Sequence, residues 1–173
     1  SVVLRRVGDV QYLGAMYHVA PGTHKDFGAL DVLTDILKNE PTGPLYKALV
    51  ESKLASSQFG YVFGLKEPGY AYFGVEVPAD KDIAKANEVF LATLDAAGTM
   101  EISQADVDRA KTQTAKYLSQ VTRNTEVFSK MLSEYIAKGD WRTFFLFRDA
   151  VEIDSFVKYM FPSAEPPVPV KII

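Results

Sequence analysis

Two β-rich runs flank a Pro-Gly turn near the middle of the chain, and no other feature restricts the fold as tightly. Ser56 to Leu65 and Tyr70 to Val77 are dense in Phe, Tyr and Val, with Lys66-Glu67-Pro68-Gly69 between them. Runs of this kind joined by such a turn form an antiparallel hairpin. Side chains alternate across a strand, so Phe59, Tyr61 and Phe63 share one face, and Tyr70, Tyr72, Gly74 and Glu76 share one on the partner. Aromatic groups on paired strands pack across the ladder, and the set Phe59, Tyr61, Phe63, Tyr70, Tyr72 and Phe73 is read as core rather than as a ligand site.

The segments on either side extend this unit. Val2 to Arg6 reads as a short strand ended by Gly8-Asp9. Val10 to Val19 carries apolar residues at both parities, which predicts a central strand covered on both faces. After Pro21-Gly22, Asp26 is placed to cap a helix bearing Phe27, Leu30, Leu33, Ile36 and Leu37 at helical spacing. Asn39-Glu40-Pro41 ends it. Thr42 and Pro44 suit the start of a second, short helix through Leu45, Leu49 and Leu54.

Beyond the hairpin, Asp80 opens a helix to about Ala97. Ser103-Gln104-Ala105-Asp106 is a capping box with Asp for the usual Glu. The helical pattern that follows runs to Ile136, with a kink or break at Arg123-Asn124-Thr125 and a stop at Gly139. Asp140 then caps a helix carrying Trp141, Phe144, Phe145 and Phe147. The aromatic density of that helix suggests packing on the long helix, with some surface left for a neighbouring domain. From about Glu152 the pattern weakens, and Pro162, Pro166, Pro167 and Pro169 predict an extended tail. The fold class is therefore α+β: a two-layer sandwich, a mostly antiparallel sheet with helices packed on one face. Residues 1–151 form one domain, with 152–173 a Pro-rich tail of the same domain.

Composition narrows the function. The 173 residues suffice for a core without staples, and the net charge of -3 gives no basic face for nucleic acid. Cysteine is absent, so disulfides and thiolate chemistry are excluded. No apolar run approaches the roughly 20 residues of a membrane span. Ser1 opens directly on Val2-Val3-Leu4, as expected of a piece of a longer parent. The compartment stays open, with the bacterial periplasm favoured over the cytoplasm. No Gly-x-Ser-x-Gly elbow and no phosphate-binding Gly-rich loop occurs.

Several phrases fall in a recognisable order: Tyr17-His18-Val19-Ala20-Pro21-Gly22-Thr23-His24-Lys25-Asp26, then Gly43-Pro44-Leu45-Tyr46-Lys47-Ala48-Leu49-Val50-Glu51, the Pro68-Gly69 hairpin, and Gly139-Asp140-Trp141-Arg142. Together, from about Val2 to Val151, they resemble a non-catalytic domain of the insulinase/pitrilysin/mitochondrial processing peptidase family of zinc proteases. The phrases Leu45 to Glu51 and Gly139 to Arg142 look like the second domain of a bacterial half-molecule in this family. The resemblance implies repeated α+β domains, paired into halves that enclose a chamber. One domain would carry His-x-x-Glu-His and a distant Glu, which hold zinc and activate water. The others would close the chamber and help hold an unfolded peptide.

The chain departs from the catalytic pattern. Its histidines are His18 and His24, with Gly at positions 22 and 28 where a second histidine would stand. The resemblance thus implies no catalytic, cofactor-binding or metal residue in this domain; zinc would belong to the parent's catalytic domain. The family's Arg, followed seven residues later by Tyr, maps onto Leu49 and Ser56, and the usual Arg before Leu-Tyr-Lys maps onto Pro44. No substrate-binding residue is carried over. Relatives follow Arg148-Asp149-Ala150-Val151 with a helix and a closing strand; Ile153 to Pro162 is too short for both, as expected where residues are missing from the chain.

Isolated polar groups have plain readings. His18 is expected to be partly buried, and His24 solvated near a helix start. Asp31 and Asp35 stand at i, i+4 and, with Glu40, read as a wet helix face. Lys66 to Gly69 reads as a simple turn. The expected function is the wall of a metallopeptidase chamber, supporting peptide binding, with the other domains of the same protease and a peptide as partners. The alternatives are a scaffold domain of a catalytically dead relative and an unrelated α+β binding module.

Overall fold

The computed structural model describes Val3 and residues 8–152. The expected strand from Val2 to Arg6 and the tail after Glu152 lie outside the described residues. Three strands form one antiparallel sheet in the order β1-β3-β2: β1 Val10–Val19, β2 Ser57–Phe63 and β3 Gly69–Pro78. The hairpin is present in the expected place. β3, not β1, is central among the described residues; β1 pairs on one side only, running Val10 opposite Pro78 to Val19 opposite Gly69.

The helices are α1 Phe27–Lys38, α2 Ile83–Asp95, α3 Gln104–Arg123, α4 Thr125–Ala137 and α5 Thr143–Glu152. A wide helical turn spans Tyr46–Glu51, entered through Pro44 and Leu45. Local capping explains most boundaries. Asp82, two residues beyond the expected Asp80, caps α2 by accepting from the Ala84 and Lys85 amides at 2.9 and 3.2 Å. Ser103 caps α3 as expected, its Oγ accepting from the Asp106 amide at 3.2 Å, while its hydroxyl, in place of its amide, donates to the Asp106 carboxylate at 2.6 Å. The break at Asn124 is complete, because its side chain accepts from the Val127 amide and starts α4. Gly139, at φ +119°, takes a backbone conformation that other residues rarely adopt and stops α4. Asp26 does not cap α1 with its side chain. Its own amide instead donates to Nδ1 of His24 at 3.2 Å, which turns the loop into the helix.

The core lies between the sheet and the helices. Val75 and Val77 of β3 meet Leu45, Leu49 and Phe90, all fully buried. Burial of each such side chain stabilises the fold by about 1.5–3 kcal/mol. A second cluster, Val32, Ile36, Val107 and Ala110, joins α1 to α3. Around Phe144, also fully buried, Phe128, Tyr135 and Phe145 pack edge-on with centroids 5.1–5.6 Å away. This aromatic knot ties α5 to α4, as the sequence suggests, and leaves Trp141 and Leu146 exposed.

All this packing is on one side of the sheet. β1 alternates strictly, Leu13, Ala15 and Tyr17 turning inward and Tyr12, Met16 and His18 outward. The expectation that both of its faces are covered is therefore corrected. Apolar residues occur at both parities because the outer face is itself apolar.

Candidate functional site

The outer face of the sheet keeps large apolar side chains exposed after the core is accounted for. Register brings Met16 opposite Tyr72 and His18 opposite Tyr70 on one side of β3; Tyr61 and Phe63 stand opposite the same tyrosines on the other. Met16 is 64%, Tyr61 52%, Tyr12 48% and Phe63 43% exposed. The aromatic set is thus packed across the strands, as expected, but on the open face; only Phe73 points into the core. Phe63 stacks on Tyr70 at 4.8 Å, and Phe59 contacts Tyr12, Tyr61 and Tyr72 at 5.7–6.0 Å.

Two glycines make this layer flat. Gly14 and Gly74 are register partners, and a Cβ at Gly74 would collide with the Phe59 ring and the Tyr12 hydroxyl. The rings therefore lie over bare backbone, and the Tyr72 hydroxyl donates to the Tyr12 oxygen at 3.0 Å. Partial burial, then the Tyr72 phenol that shares the proton with it, pushes the Tyr12 phenol well above the ordinary tyrosine range. At the end of the face near Tyr12, the Ser57 hydroxyl donates to Oε2 of Glu76 at 2.8 Å. The outward strand positions carry the Glu76 carboxylate and the His18 imidazole, and no lysine or arginine.

Beside β2 the face runs into a polar cavity of about 320 Å³ under the C-terminal end of α1. Phe59 and Tyr61 line both. The Lys38 ammonium bonds Oδ1 of Asp35 at 2.8 Å and the Gly60 carbonyl at 3.0 Å, and lies 5.3 Å from the Tyr61 ring centroid. Gln58, 8% exposed, donates through Nε2 to the Lys38 carbonyl at 2.7 Å. Sequence reading missed this cavity: a glutamine in a strand carries no mark of the helix end it will meet.

The remaining candidates separate. His18 is exposed on the outer face, not partly buried, and His24 is spent on the loop before α1. Among the described residues no three His, Asp or Glu side chains gather as metal ligands, so these residues do not fit a zinc site. Leu49 is fully buried in the core, and Ser56 bonds the Glu76 carbonyl at the start of β2; the former cannot reach a substrate. Pro44 lines an apolar groove with Ala48, Val89 and Met100.

Asp31 is not on a wet face. It is half-buried beside Tyr135 and Lys138 from the end of α4. Burial, then the negative charge of Asp35, pushes its carboxyl up to about 6, against the pull of Lys38 and Lys138. Burial likewise raises the Tyr135 phenol and lowers the Lys138 ammonium, which sits 4.3 Å from the Tyr135 ring centroid. The i, i+4 spacing of Asp31 and Asp35 gave no warning, because α4 arrives from a hundred residues away in sequence.

Comparison with known proteins gives this arrangement its context. The family model of the M16 peptidase inactive domain matches residues 1–114. A crystal structure of the inactive peptidase domain of a candidate zinc protease from Bordetella parapertussis is 40% identical, covering 88% of this chain and 84% of that one, with a TM-score of 0.79. A candidate zinc protease from Bordetella pertussis Tohama I is 37% identical over 83% of this chain and 79% of its own, with a TM-score of 0.76. A Helicobacter pylori protease, 24% identical, shares the fold at a TM-score of 0.71; 82% of this chain matches 35% of that one. No curated protein matches the sequence. The α+β layers, the phrases they carry and these matches agree: the chain belongs to the M16 peptidase family, the zinc-protease family its sequence resembles, as one of the inactive domains.

Proposed function

We propose that this domain forms part of the chamber wall of a zinc metallopeptidase and supports an extended peptide on the open face of its sheet. One observation carries the reading. The apolar core between sheet and helices lies on one side, and the other side, which only Lys38 at the end of α1 reaches over Tyr61, presents Tyr12, Met16, Tyr61, Phe63, Tyr70 and Tyr72 as one layer. An apolar layer of this kind on a soluble domain marks an interaction surface. Flat aromatic groups suit an unfolded chain, because they contact any side chain without demanding one sequence.

Hydrolysis itself belongs to another domain of the parent, where zinc would be held. This domain's residues do the positioning. The test is binding of a labelled, uncharged extended peptide to the 173-residue chain, followed by fluorescence anisotropy. Met16→Ser, at a position 64% exposed, should weaken binding severalfold with little change in melting temperature; Phe63→Ser should weaken it too, and lower the melting temperature by giving up the stack on Tyr70. Binding that is indifferent to both substitutions would refute the role of this face.

A further inference from the structure

The open face of the sheet contains one side chain that mild oxidation converts from apolar to polar. Met16 points outward from β1 and is the most exposed large apolar side chain of the three strands. Its outward neighbours along β1 are His18 and Gly14, and the latter has no side chain to cover it. Register sets Met16 in one row with Tyr72 and Tyr61, within the aromatic layer. The other described methionines are better covered: Met100 packs against the core cluster, and Met131 is half-buried on α4. Cysteine is absent from the chain, so no thiol competes for an oxidant, and exposure selects among the thioethers.

We propose that Met16 is an oxidation site through which a hydroperoxide weakens the hold of this face on a peptide. The inference rests on the reading of the face as a peptide support. The step is a two-electron oxygen transfer. The sulfur lone pair attacks one peroxide oxygen, and an S–O bond forms as the O–O bond breaks. With hydrogen peroxide, the leaving hydroxide takes the proton of the transferred oxygen and departs as water. Sulfur is oxidised by two electrons and the peroxide is reduced by two. Before the step, Met16 is a flexible, polarisable group that adapts to varied apolar side chains. Afterwards it is polar, and a peptide lying along the row must strip water from the sulfoxide oxygen without replacing its hydrogen bonds. Met16 belongs to neither buried core cluster, so the change acts on the surface and leaves the fold in place. Methionine sulfoxide is open to enzymatic reduction, which makes the change reversible.

The experiment treats the 173-residue chain with dilute hydrogen peroxide and locates the sulfoxides by peptide mass spectrometry. Met16 should be converted severalfold faster than Met100 or Met131; equal or slower conversion would overturn the assignment. The chain oxidised at Met16 should bind the labelled, uncharged extended peptide severalfold more weakly, with its melting temperature little changed. Met16→Leu keeps an apolar group and lacks the sulfur. It should bind as the untreated chain does and hold that affinity after the same treatment. Unchanged binding by the oxidised chain, an equal loss in Met16→Leu, or a loss that comes only with unfolding would overturn the proposal. The untreated chain reports separately on the sheet face. If it binds no peptide, the support and its control through Met16 are both refuted. If it binds and oxidation of Met16 changes nothing, the support stands and the control alone is refuted.

Discussion

The Tyr72 hydroxyl donates to the Tyr12 hydroxyl at 3.0 Å, although the two residues are not partners in the ladder. Tyr12 stands opposite Glu76 and Tyr72 opposite Met16. They meet diagonally over the Gly14–Gly74 pair, where no Cβ intervenes. Titration followed by tyrosinate absorbance should therefore show Tyr12 ionising above the ordinary tyrosine value of about 10. Tyr72→Phe removes the neighbouring phenol, which disfavours charge on Tyr12, and should bring that midpoint down. A folded-state value above the unfolded one means that this contribution to stability declines as pH rises past about 10.

Asp31 predicts a pH dependence in the acid range. Its folded-state value of about 6 lies above that of an unfolded aspartate. Between the two values the folded protein binds more protons, so stability falls as pH rises from about 4 to 6 and then levels. Asp31→Asn should flatten this window and raise stability at pH 7.5 by on the order of 1 kcal/mol. Urea denaturation at several pH values checks it. Asp106, held low by Ser103 and Arg109, acts in the opposite sense and at lower pH, where its protonation costs stability.

Phe144 holds the aromatic knot between α4 and α5. It is fully buried against Phe128, Tyr135 and Phe145. Phe144→Ala should cost about 3–5 kcal/mol. Trp141, a neighbour of Phe145 at 5.8 Å, is the chain's one tryptophan, so its fluorescence should report the loosening directly.

Zinc should find no stoichiometric site in this chain. Calorimetric titration is expected to give no one-to-one binding, since His18 lies on the sheet face and His24 in the loop before α1. A tight single site would contradict the assignment of the metal to another domain.

If the domain is a wall, it should also associate with its neighbour. Mixing it with the parent's N-terminal domain at tens of micromolar is expected to give a complex by size-exclusion chromatography. Two peaks that elute independently would count against the proposed role.

Much of the architecture was legible in the sequence because it is written locally. The Pro68-Gly69 hairpin, the Ser103 cap, the break at Asn124 and the stop at Gly139 each depend on a few adjacent residues and their own backbone preferences. The missing partner histidines for His18 and His24 are equally local, and they separate this chain from the family's catalytic pattern. Tertiary structure alone decided which parity of β1 meets solvent, that Asp31 is half-buried beside Lys138, and that Gln58 ends at the tip of α1. Alternation along a strand defines two faces but does not say which one the helices will cover. That choice, and the cavity it leaves beside β2, comes from contacts between segments far apart in the chain.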